Sequence, residues 1–155
     1  MNSTDRFDKI YINPIGIIQN LIKKEEMANL SHAEIQQKVE DLRQKENSII
    51  TIKDEFVEAL DGIEHYPYLI IIFWANLISP EERLRKKVYP RGRLDQPQKG
   101  VFATCSPARP NPLLVTTVKL LHRNGNELVV SGLDAFNGTP VIDIKPYHKD
   151  LHSAF

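Results

Sequence analysis

The sequence predicts a mainly β fold (α+β), a small antiparallel β-barrel with one substantial helix. Short runs rich in β-branched residues recur along the chain, separated by Gly, Pro, Asn and Asp, the pattern of strands joined by turns. No βαβ rhythm is visible, and no GxGxxG follows a strand-like run, which disfavours a doubly wound dinucleotide-binding sheet. Only residues 30–47 carry the spacing of a long amphipathic helix.

Each element follows from local chemistry. Residues 10–19 (IYINPIGIIQ) read as a first strand with a bend near Pro14 and Gly16. In residues 30–47, Ser31 serves as N-cap with Glu34 three residues on, a capping box. Ile35, Val39 and Leu42 line one face of that helix, and Gln36, Lys38, Glu40, Asp41, Arg43 and Lys45 line the other. Such a face packs on the barrel, covers a ligand or meets a second copy. Residues 48–52 read as a short strand, and residues 54–60 as a helical turn or two that stops at Gly62. Residues 68–77 (YLIIIFWANL) are apolar throughout, as expected of a strand buried on both faces. Ser79-Pro80 breaks the pattern, residues 82–99 read as loop, and residues 101–104 as a short strand. Residues 113–123 and 127–133 flank Asn124-Gly125, a type I′ hairpin signal. Residues 141–144 form the last strand, before a polar tail from Tyr147.

Length and composition bound the rest. The 155 residues suit one domain with a real core. The expected organisation is a single barrel domain over 1–155 with a helical insertion at about 22–48. Lys plus Arg number 20, as do Asp plus Glu, so the formal net charge is zero. Any nucleic-acid contact therefore rests on a local patch. The lone cysteine, Cys105, excludes a disulfide framework and a cysteine-built zinc site. It fits a reducing compartment. The longest apolar run is far short of the about 20 residues a membrane helix needs. Residues 1–9 lack the basic and apolar stretches of a signal peptide, so a cytoplasmic location is expected. The five histidines have no metal-ligand spacing.

Three segments carry more than scaffold. Residues 100–112 (GVFATCSPARPNP) hold a loop fixed by Pro107, Pro110 and Pro112, with Thr104, Ser106, Arg109 and Asn111 on it. A loop held this way costs little to order on binding. Its arginine fork and hydroxyls suit a carboxylate or a nucleotide, unless Arg109 and Asn111 only cap the loop's own backbone. Residues 133–147 (LDAFNGTPVIDIKPY) place Asp134, Asn137 and Gly138 in a turn whose backbone groups suit an adenine edge or a ribose, unless it is a plain β-turn. Asp143 and Lys145 alternate with Ile142 and Ile144, as on the solvent face of a strand. Residues 83–99 hold Arg83, Arg85, Lys86, Lys87, Arg91, Arg93 and Lys99 against one acid, Asp95. That patch suits phosphates, or is an ordinary solvated loop partly offset by Glu81 and Glu82.

These residues resemble the TrmO family. Its pattern GVFATRSPxRPNPIGLS, then LDxxDGTPxxDIKPY, is similar to residues 100–116 and 133–147, and PIGII at residues 14–18 and DGIEHYPYLIIIFW at 61–74 resemble its first strand and its GLExFSHL strand. Arg109, Pro110 and Asn111 match the first motif. Asp134, Gly138, Thr139, Pro140, Asp143, Lys145, Pro146 and Tyr147 match the second. The departures are Cys105 for the family's arginine, Leu113, Leu114, Val115 and Thr116 for IGLS, Asn76 for a histidine, Asn137 for an aspartate, and a helix in place of its Pro-Arg-Gln element.

The resemblance implies a β-barrel that binds S-adenosyl-L-methionine near a homodimer interface. It also implies methylation of tRNA at the exocyclic nitrogen of threonylcarbamoyl-adenosine beside the anticodon. The implied cofactor residues are Asn76, Thr104, Cys105, Arg109, Asn111, Val115, Asp134, Ala135, Phe136, Asn137, Gly138 and Thr139. Phe73 and Trp74 form an apolar wall or pack in the core, Asp134 is the one nominee for a catalytic group, and Arg85, Lys86, Lys87, Arg91 and Arg93 are the expected RNA contacts. Two alternatives stand beside this reading. One is a module that binds S-adenosyl-L-methionine or a nucleotide without turnover, motivated by Cys105 and Asn137. The other is a methyltransferase of small molecules.

Overall fold

Six strands with inward-facing aliphatic side chains close into an antiparallel barrel in the order β1-β2-β7-β6-β3-β8. The strands are β1 (Gly16–Gln19), β2 (Asn47–Ile52), β3 (Tyr68–Trp74), β6 (Leu113–Asn124), β7 (Glu127–Ser131) and β8 (Pro140–Pro146). A two-stranded ribbon, β4 (Lys87–Val88) with β5 (Lys99–Gly100), stands outside it. The helices are α1 (His32–Lys45), α2 (Pro80–Arg83) and α3 (Lys149–His152), with short 3-10 turns between. This computed structural model describes residues 10–154. The polar amino-terminal residues 1–9 read above, and Phe155, lie outside the described residues. Among the described residues no helix is long and apolar enough to cross a membrane.

The core follows from a period of two. In β2, Ser48, Ile50 and Ile52 are buried while Asn47, Ile49 and Thr51 are not, so one face points inward. Ile18, Leu69, Ile71, Phe73, Val118, Leu128, Val130 and Val141 fill the interior with them. β3 is less enclosed than its composition predicts, since Ile72 and Trp74 on its outer face are half-buried. Phe73 is 3% exposed and belongs to the core, so it is no ligand wall.

Several elements differ from expectation, each for a local reason. The first strand begins only at Gly16, because Pro14 has no N–H to give to a ladder. Val101–Ala103 is a 3-10 turn and not a strand, with the Val101 N–H donating to Lys86 O at 2.9 Å and Thr104 N–H to Val101 O at 3.1 Å. Ser79-Pro80 starts α2 instead of merely ending a strand. Ser79 Oγ accepts from Glu82 N–H, the Glu82 carboxylate accepts from Ser79 N–H, and Pro80 sits at the first helical position. Residues 82–99 include the end of that helix, β4 and the start of β5. The β6-β7 hairpin is present, but Asn124 pairs with Glu127 and the loop is Gly125-Asn126. Of the two loop residues only Gly125 has positive φ, at 60°, the pattern of a type II′ turn and not type I′.

The capping box at the start of α1 forms as the sequence predicts. Glu34 N–H donates to Ser31 Oγ at 3.3 Å, and Ser31 N–H to Glu34 Oε2 at 2.7 Å. Hydrogen bonding by the Ser31 side chain, and next by the Ser31 backbone N–H, holds the Glu34 carboxyl below the ordinary glutamate range. Ser31→Ala is expected to cost about 1 kcal/mol, read as a lower urea midpoint, whereas Ser31→Asp, which keeps an acceptor, stays near wild type. No residue of α1 is fully buried. Its Ile35, Val39 and Leu42 are only half-covered.

Candidate functional site

The antiparallel register gathers both motifs at one end of the barrel. Trp74 pairs with Leu113, Phe73 with Val141, Ile17 with Pro140, and Asn47 with Ser131. The end of β3, the starts of β6 and β8, and the ends of β1 and β7 therefore lie together. Residues 104–112 lead into β6 there, and residues 133–139 join β7 to β8 there.

The first loop is braced from within. Thr104 Oγ1 donates to Val101 O at 2.9 Å and accepts from Ser106 N–H at 3.2 Å. Arg109 Nη1 donates to Thr104 O at 3.2 Å and Ser106 O at 3.3 Å. Arg109 is thus a clamp on its own loop. Asn111 O accepts from Leu113 N–H at 2.7 Å, and Ala75 N–H donates to Pro112 O at 2.8 Å, which fastens the loop's end to the segment after β3. Asn76 is exposed just beyond β3, Cys105 is an exposed free thiol, and Val115 is 62% exposed on the outer face of β6.

The second motif divides into committed and uncommitted groups. Asn137 N–H donates to Ile22 O at 2.7 Å, Gly138 N–H to Ile18 O at 2.8 Å, and Thr139 N–H to Phe136 O at 3.2 Å. Gly138 has φ 80°, a left-handed turn that favours glycine. Leu133, Ala135 and Thr139 are buried, and Asp134 is exposed. Among the described residues, the N–H groups of Asp134, Ala135 and Phe136 have no protein acceptor. Thr116 Oγ1 donates to Asp134 Oδ1, which ties β6 to this turn. No hydrogen bond among the described residues joins Arg109 or Asn111 to residues 134–139.

Two further residues belong to this end, and the sequence pattern did not single them out. Asn20 Nδ2 donates to Ala135 O at 2.9 Å and to buried Ser48 Oγ at 3.1 Å, and its Oδ1 accepts from Ile22 N–H at 3.0 Å. Its own N–H donates to Asn137 Oδ1 at 3.0 Å. Asparagine at the end of a strand was the only local signal. Arg43 reads from sequence as part of the polar face of α1. It is half-buried and donates through Nε to Glu40 Oε2 at 2.6 Å. That bond raises the Arg43 pKa, and Asp134 adds a smaller favourable charge effect.

The basic segment stands beside the first loop. Arg93 pairs with Asp95 at 2.8 Å and is the one nominee for RNA contact held in an ion pair. Among the described residues Arg85, Lys86, Lys87 and Arg91 have no ion-pair partner. Arg91 adopts a left-handed φ of 53°. A Cβ on neighbouring Gly92 would lie 2.4 Å from the His32 ring, so this segment rests directly on the start of α1.

The chain is similar to known proteins over most of its length. The family model for the tRNA-methyltransferase O N-terminal domain matches residues 28–153. A probable S-adenosyl-L-methionine-binding protein of Methanothermobacter thermautotrophicus is 39% identical over 145 residues, covering 94% of this chain and 95% of that protein. Another, of Methanocaldococcus jannaschii, is 44% identical over 112 residues, or 71% of this chain and 89% of that protein. The tRNA (adenine(37)-N6)-methyltransferase of Rattus norvegicus is 39% identical over 95 residues, which span 61% of this chain but 22% of that enzyme. The crystal structure of TrmO from Pseudomonas aeruginosa superposes with a TM-score of 0.68 at 26% identity, over 94% of this chain and 59% of that one. The chain thus spans nearly all of these archaeal relatives and about three fifths of the TrmO structure. It belongs to the tRNA-methyltransferase O N-terminal domain family.

Proposed function

We propose that this protein is an S-adenosyl-L-methionine-dependent methyltransferase acting on tRNA, at the exocyclic nitrogen of threonylcarbamoyl-adenosine next to the anticodon. The carrying observation is the row of unpartnered N–H groups on Asp134, Ala135 and Phe136, at the barrel end where both motifs meet. The donor set fits such a cofactor. The backbone N–H groups suit the acceptors of a purine or ribose, the Asp134 carboxylate offsets a cationic sulfonium, and exposed Val115 supplies apolar surface. Asn76, Thr104, Cys105, Asn111, Asn137, Gly138 and Thr139 complete the proposed lining or hold its backbone. When bound, the cofactor supplies a methyl group already activated by its sulfonium. The chain's own task is to align donor and acceptor. Arg109 keeps the first loop in one shape, Asn20 keeps the second turn in place, and Arg85, Lys86, Lys87 and Arg91 meet RNA phosphates. Asp134 is the one residue proposed to take up the acceptor's proton.

We further infer that two copies associate, with the half-covered apolar face of α1 as a contributor. Sedimentation at several concentrations tests that point.

Calorimetric titration with S-adenosyl-L-methionine tests the cofactor reading, with binding expected near micromolar strength, about −8 kcal/mol. Methyl transfer is then assayed on tRNA with and without the threonylcarbamoyl group. Arg109→Ala frees two loop carbonyls and is expected to weaken cofactor binding about tenfold, the worth of one or two hydrogen bonds. An unchanged affinity would remove Arg109 from the site. One observation favours a second reading, a binding module without turnover: exposed Cys105 stands where the family motif has arginine. Cofactor binding with no transfer to either tRNA would select it.

A further inference from the structure

A cleft of about 810 Å3 opens between α2 and the Val101–Ala103 turn, and none of the proposed cofactor residues lines it. Its walls include Leu84, Val101, Phe102 and Pro110, and its rim carries Arg83, Arg85 and Lys86, with no carboxylate among the lining residues. Phe102 is 80% exposed and Leu84 79%. Leu84 and Phe102 line one cleft together, and a contiguous exposed apolar patch, unlike a single exposed side chain, marks an interaction site. The turn that carries it is pinned, since Val101 is buried, its N–H donates to Lys86 O at 2.9 Å, and its carbonyl accepts from Thr104. Arg83 sits 5.3 Å from the Trp74 ring, and its buried Nε has no acceptor among the described residues. The nearest acid by sequence on α2, Glu82, is occupied in the capping box with Ser79.

Apolar walls alone would fit many partners. An exposed aromatic platform among unpaired cations fits a single-stranded nucleic acid, whose bases stack while its phosphates are neutralised. We propose that this cleft holds one unstacked base of the RNA substrate, stacked on Phe102, with the adjoining phosphates on Arg85 and Lys86. The inference rests on the tRNA reading above and adds a substrate subsite to it. Phe102 lies two residues before Thr104, at the start of the first motif, so the subsite adjoins the proposed cofactor loop in sequence. Stacking tolerates any base, which makes the subsite a grip on an unpaired strand and not a reader of sequence.

The test is fluorescence anisotropy with a labelled anticodon stem-loop RNA, alongside calorimetry with S-adenosyl-L-methionine. Phe102→Ala is expected to weaken RNA binding about ten- to hundredfold and Phe102→Trp to restore it, both with unchanged cofactor affinity. The double change Arg85→Ala with Lys86→Ala is expected to lower the slope of log affinity against log salt by about 1.4, or about 0.7 for each single-strand phosphate contact. RNA binding by the unmodified protein with no effect of Phe102→Ala overturns the subsite and leaves the tRNA reading standing. No RNA binding at all overturns both. Loss of cofactor affinity in Phe102→Ala, or loss of a dimer in sedimentation, would reassign the cleft to the cofactor or to a second copy.

Discussion

Gly16→Ala is expected to destabilise the barrel by about 3 kcal/mol. A Cβ at this position would lie 2.5 Å from the Thr51 carbonyl oxygen and 3.0 Å from Ile52 Cδ1. The first contact is with backbone inside the β1-β2 ladder, where Gly16 pairs with Ile52. That ladder cannot move aside without breaking its own hydrogen bonds. The midpoint of thermal unfolding should therefore fall by roughly 6–12 °C for a chain of this size, with the denaturant slope unchanged. Adding Ile52→Val to the variant removes only the side-chain contact and is expected to restore little. Full recovery in that double variant would place the clash on Ile52, not on the Thr51 carbonyl.

Asn20→Ala is expected to cost about 3 kcal/mol through the loss of three hydrogen bonds, and to weaken cofactor binding in the same step. The variant leaves the buried Ser48 hydroxyl and the Ala135 carbonyl without their partner, and unpaired buried polar groups are the expensive kind. It retains the Asn20 N–H to Asn137 Oδ1 bond, so the turn loosens without detaching. Faster amide exchange at Asn137 and Gly138 in a chain that still folds is the expected signature. Asn20→Asp keeps the acceptor for Ile22 N–H but places a carboxylate against the Ala135 carbonyl, and should be no better than alanine. Wild-type exchange rates at those amides in Asn20→Ala would mean that the turn is held by other contacts.

The same turn bears on one departure from the family motif. Asn137 uses its Oδ1 as an acceptor, a role aspartate performs equally well. Cys105 is different, because a thiol carries neither the charge nor the fork of an arginine.

Much of the fold was legible because local chemistry dictated it. The alternation in β2, the capping box at Ser31 and the hairpin near Asn124 each depend on residues within a few positions of one another. The hairpin's turn type was misread because the strand register, set by packing across the barrel, moved the loop to Gly125-Asn126. Val101–Ala103 has strand-like residues but curls into a 3-10 turn pinned to Lys86. The signal for α2 lies in Ser79, Pro80 and Glu82, a capping box with proline at the first helical position, although the Ser-Pro pair also reads as the end of a strand. At the site, both motif segments were visible as segments. The clamp formed by Arg109 was one of two readings the residues allowed. Asn20 left no mark, because its bonds to Ala135 and Ser48 reach across distant stretches of chain.

The seam between β1 and β8 has only two register pairs, Gly16 with Val141 and Ile17 with Pro140, whereas β3 and β6 share seven. It joins strands from opposite ends of the sequence, so almost the whole chain must be threaded into place before this contact offsets the entropy of closing so long a loop. The order of assembly follows. The β6-β7 hairpin and the β6-β3-β8 sheet are expected to form early, with closure of the cylinder as the last and slowest event.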